Sequence, residues 1–410
     1  MQEIEETPGL PPGPAPARFS ALRFRDFRLF WTGQVVSYSG TWMHSTAQGW
    51  LVYSLTKSPF YLGVVSAASW LPILLLSLVG GAVADRFRKR NLLLVTQALS
   101  MLPALVIGIL TAKGVVTVWH VIALGFLMGT FNAFDIPARQ SFLIEMVRKE
   151  SLLNAVALNS AAFNGARIIG PVAAGLIIEH VGLAPCFFIN SASFLAVIVA
   201  LALMKVQGLA GRKRRSILGE ISEGVAFTRR EPEVMRPMLL VALFSLFGLP
   251  FISLLPVFAE EILGVGASGL GFLAGAAGVG ALGAALMLAF RGDVSGKGRT
   301  TAAASVGFPA ALLVFSLSTN YALSLLALVF AGFAIVSFLA LANSSIQLLT
   351  PDGLRGRVMS VYTTVFLGMI PIGQSMMGTA ASALGTARAV SIGAGVCLAA
   401  SVVIFSLGRR

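Results

Sequence analysis

Ten residues constrain this chain more than any others: Gly81-Ala82-Val83-Ala84-Asp85-Arg86-Phe87-Arg88-Lys89-Arg90, set between apolar runs at 60–84 and 92–112. The last six include four cations and follow directly on a run long enough to cross a bilayer. Each such charge would cost roughly 2.5–3.5 kcal/mol at the centre of a spanning helix, so the segment must be a short, sharp turn outside the hydrocarbon. Two antiparallel spans joined in this way exclude a soluble fold. Composition agrees: 56% of the 410 residues are hydrophobic and 11% are charged, where a soluble domain carries about 25% charged residues.

Twelve apolar runs are long enough for a core about 30 Å thick at about 1.5 Å per residue. They fall at 29–53, 60–84, 92–112, 115–136, 152–178, 186–204, 238–262, 270–290, 301–317, 322–348, 359–384 and 389–407. The net charge of +13 could point to nucleic acid, but its distribution does not. With the N-terminus inside, 26 of the 30 Lys and Arg lie on one side of the membrane. Only Lys57, Lys113 and Arg388 lie on the other, and Arg167 sits within a span. That asymmetry keeps positive side chains inside, places both termini in the cytoplasm, and adds attraction to anionic headgroups.

The tail before Ala17 is acidic and Pro-rich, with neither a basic nor an apolar signal region. It reads as disordered, and span 1 becomes the uncleaved targeting signal. Cys186 and Cys397 both fall in spans and offer no disulfide framework or metal spacing. The longest polar interruption, 205–237, holds eight basic residues and divides the chain. The expected organisation is a cytoplasmic tail (1–23), a six-span half (24–204), a linker (205–237) and a second six-span half (238–410). Ile217 to Arg230 in the linker reads either as a helix on the membrane surface or as flexible chain.

An internal repeat supports two related halves. Span 5 carries Gly165, Gly170 and Gly175; span 11 carries Gly368, Gly373 and Gly378, offset by 203 residues at all three positions. Such duplication is a recurring construction of transporters. A five-residue step turns about 140° around a helix, so these glycines admit several neighbours at different depths. Pro171 adds a kink.

The turn pattern Gly-x-x-x-Asp-Arg-x-x-Lys-Arg (Gly81, Asp85, Arg86, Lys89, Arg90) resembles the helix 2–3 signature of the major facilitator superfamily, with Arg88 where that motif usually has glycine. Asn164 to Pro171 resembles its helix 5 motif associated with antiporters and exporters. With Asp135-Ile136-Pro137-Ala138-Arg139-Gln140 and Leu354 to Ser360, the chain is similar to the branch that includes the enterobactin exporter. The resemblance implies an all-α membrane protein with twelve transmembrane helices in two pseudo-symmetric six-helix bundles. It also implies a multi-pass protein of the bacterial inner membrane. Asp85 would then accept hydrogen bonds from the N-terminal end of span 11 near Gly356 to Met359, latching the halves on the cytoplasmic side; otherwise it is a plain helix cap.

Several polar residues lie within the spans. Gln34, Ser37, Thr41, His44, Ser45 and Gln48 fall in a sector of about 100° of span 1. They face either a water-filled cavity or hydrogen-bonding neighbours. His44 is either a proton carrier or a neutral bonded histidine. Arg167 shares a face with Ser160 and Asn164 and must have interior partners. It either captures an anionic or carbonyl-rich substrate by its planar fork or forms a structural ion pair. Asp135 is either a proton-coupling carboxylate or part of a network with Arg139 and the Arg86–Arg90 turn. Asn343, Ser344 and Gln347 are further cavity candidates, and Glu179, Glu260 and Glu261 read as solvated rim carboxylates.

No nucleophile–base set, metal cluster or phosphate loop is present in the sequence, so no enzyme, cofactor or metal is expected. The leading expectation is a secondary exporter of a mid-sized amphipathic compound, such as a siderophore or drug, by alternating access with proton antiport. The alternatives are a proton-coupled importer and a non-transporting sensor or binding protein of the same fold. Expected partners are a small-molecule substrate, the lipid bilayer and a proton, with no nucleic acid and a monomeric chain.

Overall fold

A computed structural model describes residues 20–206, 217–291 and 297–407. Spans 1 to 6 are α1 (Arg25–Thr56), α2 (Pro59–Arg86), α3 (Lys89–Ala112), α4 (Val118–Glu145), α5 (Leu152–His180) and α6 (Ala184–Leu203). A shorter α7 (Ile217–Arg230) follows. Spans 7 to 12 are α8 (Pro232–Ile262), α9 (Gly266–Arg291), α10 (Lys297–Leu317), α11 (Tyr321–Leu349), α12 (Asp352–Leu384) and α13 (Thr386–Leu407). Among the described residues, 11 helices are long and apolar enough to cross a membrane. The twelfth span, α1, has 32 residues and falls short only in apolarity, because of its polar sector. The tail to residue 19, most of the basic part of the linker (207–216) and the end from 408 lie outside the described residues.

Within the first half, α1 packs on α5 and α6, α2 on α4, and α3 on α4 and α6. In the second, α9 packs on α11, and α10 on α11 and α13. Two pairs join the halves: α2 with α12, and α5 with α9. The paired glycines show why these helices approach as they do. A Cβ added at Gly175 would lie 3.0 Å from the Gly271 Cα on α9, and one at Gly378 would lie 2.8 Å from the Gly63 Cα on α2. Both positions face the other half. One step earlier, Gly170 presses on the Ser39 carbonyl and Trp42 of α1, while Gly373 presses on the Leu246 carbonyl of α8. Both of these face their own half. Backbone contact of this kind leaves no room for a side chain.

Several boundaries differ from the sequence reading. Ser20–Arg23 form a 3-10 turn, held by a 3.0 Å bond from the Ala21 amide to the Asn154 side chain, so ordered chain begins before Phe24. Span 4 continues to Glu145, since Arg139 finds partners inside the first half. Span 11 begins at Asp352, adding two turns at its basic end. Span 7 is not a regular helix. Pro250 and Pro256 each remove a backbone donor and crowd the preceding turn. The chain answers with π turns at Phe244–Gly248 and Phe258–Ile262 around a 3-10 segment, Leu249–Leu254. Of the two linker readings the helical one is seen, and α7 packs on α12: Glu223 pairs with Arg357, and Gly224 lies against the Arg357 carbonyl. Large apolar side chains such as Leu75, Val95, Leu102 and Phe330 remain exposed, as a lipid-facing surface requires.

Candidate functional site

A cavity with about 200 Å³ of water-accessible space lies on the seam between the halves, lined by α1, α2 and α5 from one and α8, α9 and α12 from the other. Its polar lining comes from Ser45, Thr46, Gln48, Ser66, Ser69, Arg167, Ser253 and Gln374, and its aromatic walls are Trp42 and Trp70. The α2–α3 turn marks one end of the bundle, called here the basic end; the other is the outer end.

The polar sector of α1 divides. Ser45 and Gln48 reach the cavity, and Thr41 is exposed one turn towards the basic end. Gln34 and Ser37 are buried, and His44 packs edge-on against Phe187 of α6 at 5.0 Å between ring centroids. The sector was expected to face a single environment. It does not, because α1 is wedged between α5 and α6 of its own half and the seam.

Gln34 belongs to a buried polar network in the first half. Asp135, only 1% exposed, accepts bonds from Thr96 (2.9 Å), Gln97 (2.7 Å) and Arg139, with which it forms an ion pair. Arg139 also bonds Gln34 at 2.7 Å and lies over the Tyr38 ring. Thus Asp135 is held by its own helix and α3, away from the Arg86–Arg90 turn. Lys89 of that turn pairs with Glu145, and Arg90 bonds the Leu201 and Ala202 carbonyls at the end of α6 (2.6 and 2.8 Å). These two cations fasten the turn within the first half.

Arg167 is placed differently. It projects into the cavity with its guanidinium over the Trp42 ring, 5.5 Å from the centroid, and no described residue gives it a hydrogen bond or ion pair. Ser160 and Asn164 lie towards the basic end on the same helix and bond to each other. Asn343 and Gln347 pair at 2.6 Å on α11, off the cavity lining.

The seam is closed at the outer end. The Gly63–Gly378 and Gly175–Gly271 approaches lie there, and Tyr53 of α1 hydrogen bonds Glu261 of α8. Beside it, Lys57 sits 3.5 Å from Glu260 and covers the Tyr53 ring. Glu260 and Glu261 are exposed at the rim as expected and in addition reach α1 from the last π turn of α8. At the basic end the seam stands open. A Cβ at Gly81, Gly165 or Gly356 would meet nothing within 4 Å, and Asp85 bonds no described residue.

Sequence reasoning missed Trp42, Ser66, Ser69, Trp70 and Gln374. The serines and Trp70 do carry a faint signal: 66, 69 and 70 share one face of an otherwise apolar helix. Gln374 follows Gly373 of the repeat and is the one long amide of α12.

Residues 16–409 match a family model described as transmembrane secretion effector. The chain is 27% identical over 391 residues to a staphyloferrin A transporter of Staphylococcus aureus, covering 93% of this chain and 96% of that protein. It is 29% identical over 367 residues to the multidrug efflux pump Tap of Mycobacterium tuberculosis, covering 86% of each. In fold it is similar to a bacterial homologue of the human lysosomal transporter Spinster, solved inward-facing and occupied. The TM-score there is 0.73 at 13% identity, over 94% of this chain and 97% of that one.

Proposed function

Because this chain belongs to the transmembrane secretion effector family, and is a major facilitator transporter rather than an enzyme, we propose that it exports a mid-sized amphipathic compound. The compound would be of the siderophore or drug class, moved across the bacterial inner membrane by alternating access and exchanged for protons. One observation carries this reading: a cavity lined from both halves, shut at the outer end and open at the basic end. The open end faces the cytoplasm by the distribution of Lys and Arg, so the cavity loads from inside. Relatives that transport a siderophore and expel drugs support the substrate range.

The proton step falls to Asp135, the buried carboxylate of the first half. Protonation would break its ion pair and release Arg139, which already touches Gln34 and Tyr38 on α1. One charge moved through 100 mV yields about 2.3 kcal/mol, enough for roughly fifty-fold accumulation. In everted membrane vesicles given an acid interior with the potential clamped by valinomycin and K+, fluorescein or rhodamine 123 should accumulate, and nigericin should stop it. Accumulation that ignores nigericin would remove proton exchange, and uptake confined to right-side-out vesicles would reverse the direction. A periplasm-only reporter fused after Arg410 should stay silent and one at Lys113 should be active.

A further inference from the structure

The cavity contains one charged side chain, Arg167, and no carboxylate. That imbalance is unusual inside a membrane, where a guanidinium is costly unless paired. The chain has the means to pair one, for Arg139 in the same half is held by Asp135 and Gln34. No described residue gives Arg167 such a partner, although acids elsewhere are engaged: Asp135 with Arg139, and Glu261 with Tyr53. Its contact is the face of Trp42. A cation stacked on an aromatic ring keeps its edge free, and the edge of guanidinium is a fork of N–H donors matched to two oxygens of one planar or tetrahedral oxyanion.

Across the seam, Gln374 of α12 adds a second open valence. It is 7% exposed, it lines the same cavity, and its side-chain carbonyl is buried without a hydrogen-bond partner. The α2 wall of the same cavity is mixed: Leu62, Val65 and Trp70 supply apolar and aromatic surface beside the hydroxyls of Ser66 and Ser69. A buried acceptor with no donor asks for one from the ligand.

Resting on the transport reading above, we propose that the substrate is an amphipathic anion. Its carboxylate or sulfonate head takes the fork of Arg167, its apolar body lies along α2, and a hydroxyl or amide N–H reaches Gln374. The bond to Arg167 is made by the first half and the bond to Gln374 by the second, so a ligand that satisfies both bridges the seam. The driving force is also consistent. An anion leaving a cell that is negative inside moves down the electrical gradient, and a proton entering does the same. An amphipathic cation would meet Arg167 as a like charge in a poorly screened space.

Fluorescein and rhodamine 123 share a xanthene body and differ in the sign of charge, and both quench tryptophan emission at close range, so binding beside Trp42 and Trp70 is readable. In the purified protein, fluorescein should quench saturably. Arg167→Gln should weaken that binding at least tenfold, and Arg167→Lys should weaken it several-fold because the charge remains and the fork is lost. Melting temperature is recorded for each. Should the Arg167 variants fail to fold, Gln374→Glu is the independent arm: an isosteric carboxylate in the same cavity should lower fluorescein affinity at least tenfold and raise that of rhodamine 123. Vesicle uptake should follow the same order. Uptake of rhodamine 123 alone, indifferent to Arg167→Gln or to Gln374→Glu, would overturn the anion assignment and leave the exporter standing. Saturable, Arg167-dependent fluorescein binding with no uptake of either dye would keep the anion site and remove transport. Fluorescein quenching that is absent, or unchanged in all three variants, overturns the proposal.

Discussion

At the outer end of the seam backbone meets backbone, while at the basic end the same two helix pairs stand apart. Along α2 and α12 the approach runs from Gly63 and Gly378 to Leu74 and Gly368, then ceases, leaving Gly81 and Gly356 with empty space beside them. Along α5 and α9 it runs from Gly175 and Gly271 to Arg167 and Gly278, and Gly165 beyond it is free. The two ends also differ in chemistry. The outer end adds a tyrosine–carboxylate bond and an ion pair across the seam. At the basic end Arg357 of α12 is paired instead with α7, and Asp85 makes no bond to a described residue. Closure at one end is thus a matter of glycine packing reinforced by charge. At the other it awaits a rearrangement for which the charged groups are already present.

The largest effect should come from filling the outer seam. Gly378→Leu places a side chain where the Gly63 Cα lies 2.8 Å from a bare Cβ, and neither backbone can yield without parting the halves. Overpacking of this kind costs about 1–3 kcal/mol, equivalent to roughly a 5–150-fold shift away from the outer-closed form. A single cysteine replacing Ser66, which lines the cavity, should become reactive to an impermeant thiol reagent from outside, with transport lost. Unchanged labelling would mean that glycine packing does not hold this end shut.

A smaller effect is expected from the bond beside it. Tyr53 is buried and Glu261 is exposed, so Tyr53→Phe removes one hydrogen bond, worth about 1 kcal/mol net or roughly fivefold in the closed population. Combining it with Glu261→Gln should add little further, since each removes part of one interaction. Strictly additive effects on outside labelling would show that the two residues act separately.

What the sequence makes legible follows from how many structural solutions each residue permits. The glycine repeat was readable because the close backbone approaches at Gly170, Gly175, Gly373 and Gly378 admit nothing but glycine, and duplication writes them twice. The α2–α3 turn was readable because four cations have no place in hydrocarbon. The cavity was far less so. A polar residue in a span records that it needs a partner, not whether the partner is water or a neighbour. Gln34 meets Arg139, distant in sequence, while Gln48, four turns along the same helix, meets the cavity. Trp42 and Trp70 are on the wall because of how α1 and α2 are rotated in the bundle. Glu261 is exposed at the outer end as expected, but its bond to Tyr53 was not legible, because the proline-broken geometry of α8 has no periodicity to extrapolate.

The smallest effect should appear at the end that is open. In this state Asp85 touches no described partner, so Asp85→Asn should leave the basic-open form as stable as before and should not lower the melting temperature. Its cost should fall on the opposite form, in which the N-terminal end of α12 near Gly356 to Met359 would approach α2 and offer its unpaired amides to the carboxylate. A charge at a helix N-terminus contributes about 0.3–1 kcal/mol when exposed to solvent, so the shift is roughly two- to fivefold, well below that of Gly378→Leu. Single cysteines at Ala82 and Gly353 should label faster from the cytoplasmic side in the asparagine variant, while transport falls and outside labelling at the Ser66 position declines. If labelling at both ends and transport all match the parent protein, Asp85 is an ordinary helix-end acid and the basic end closes without a contribution from its charge.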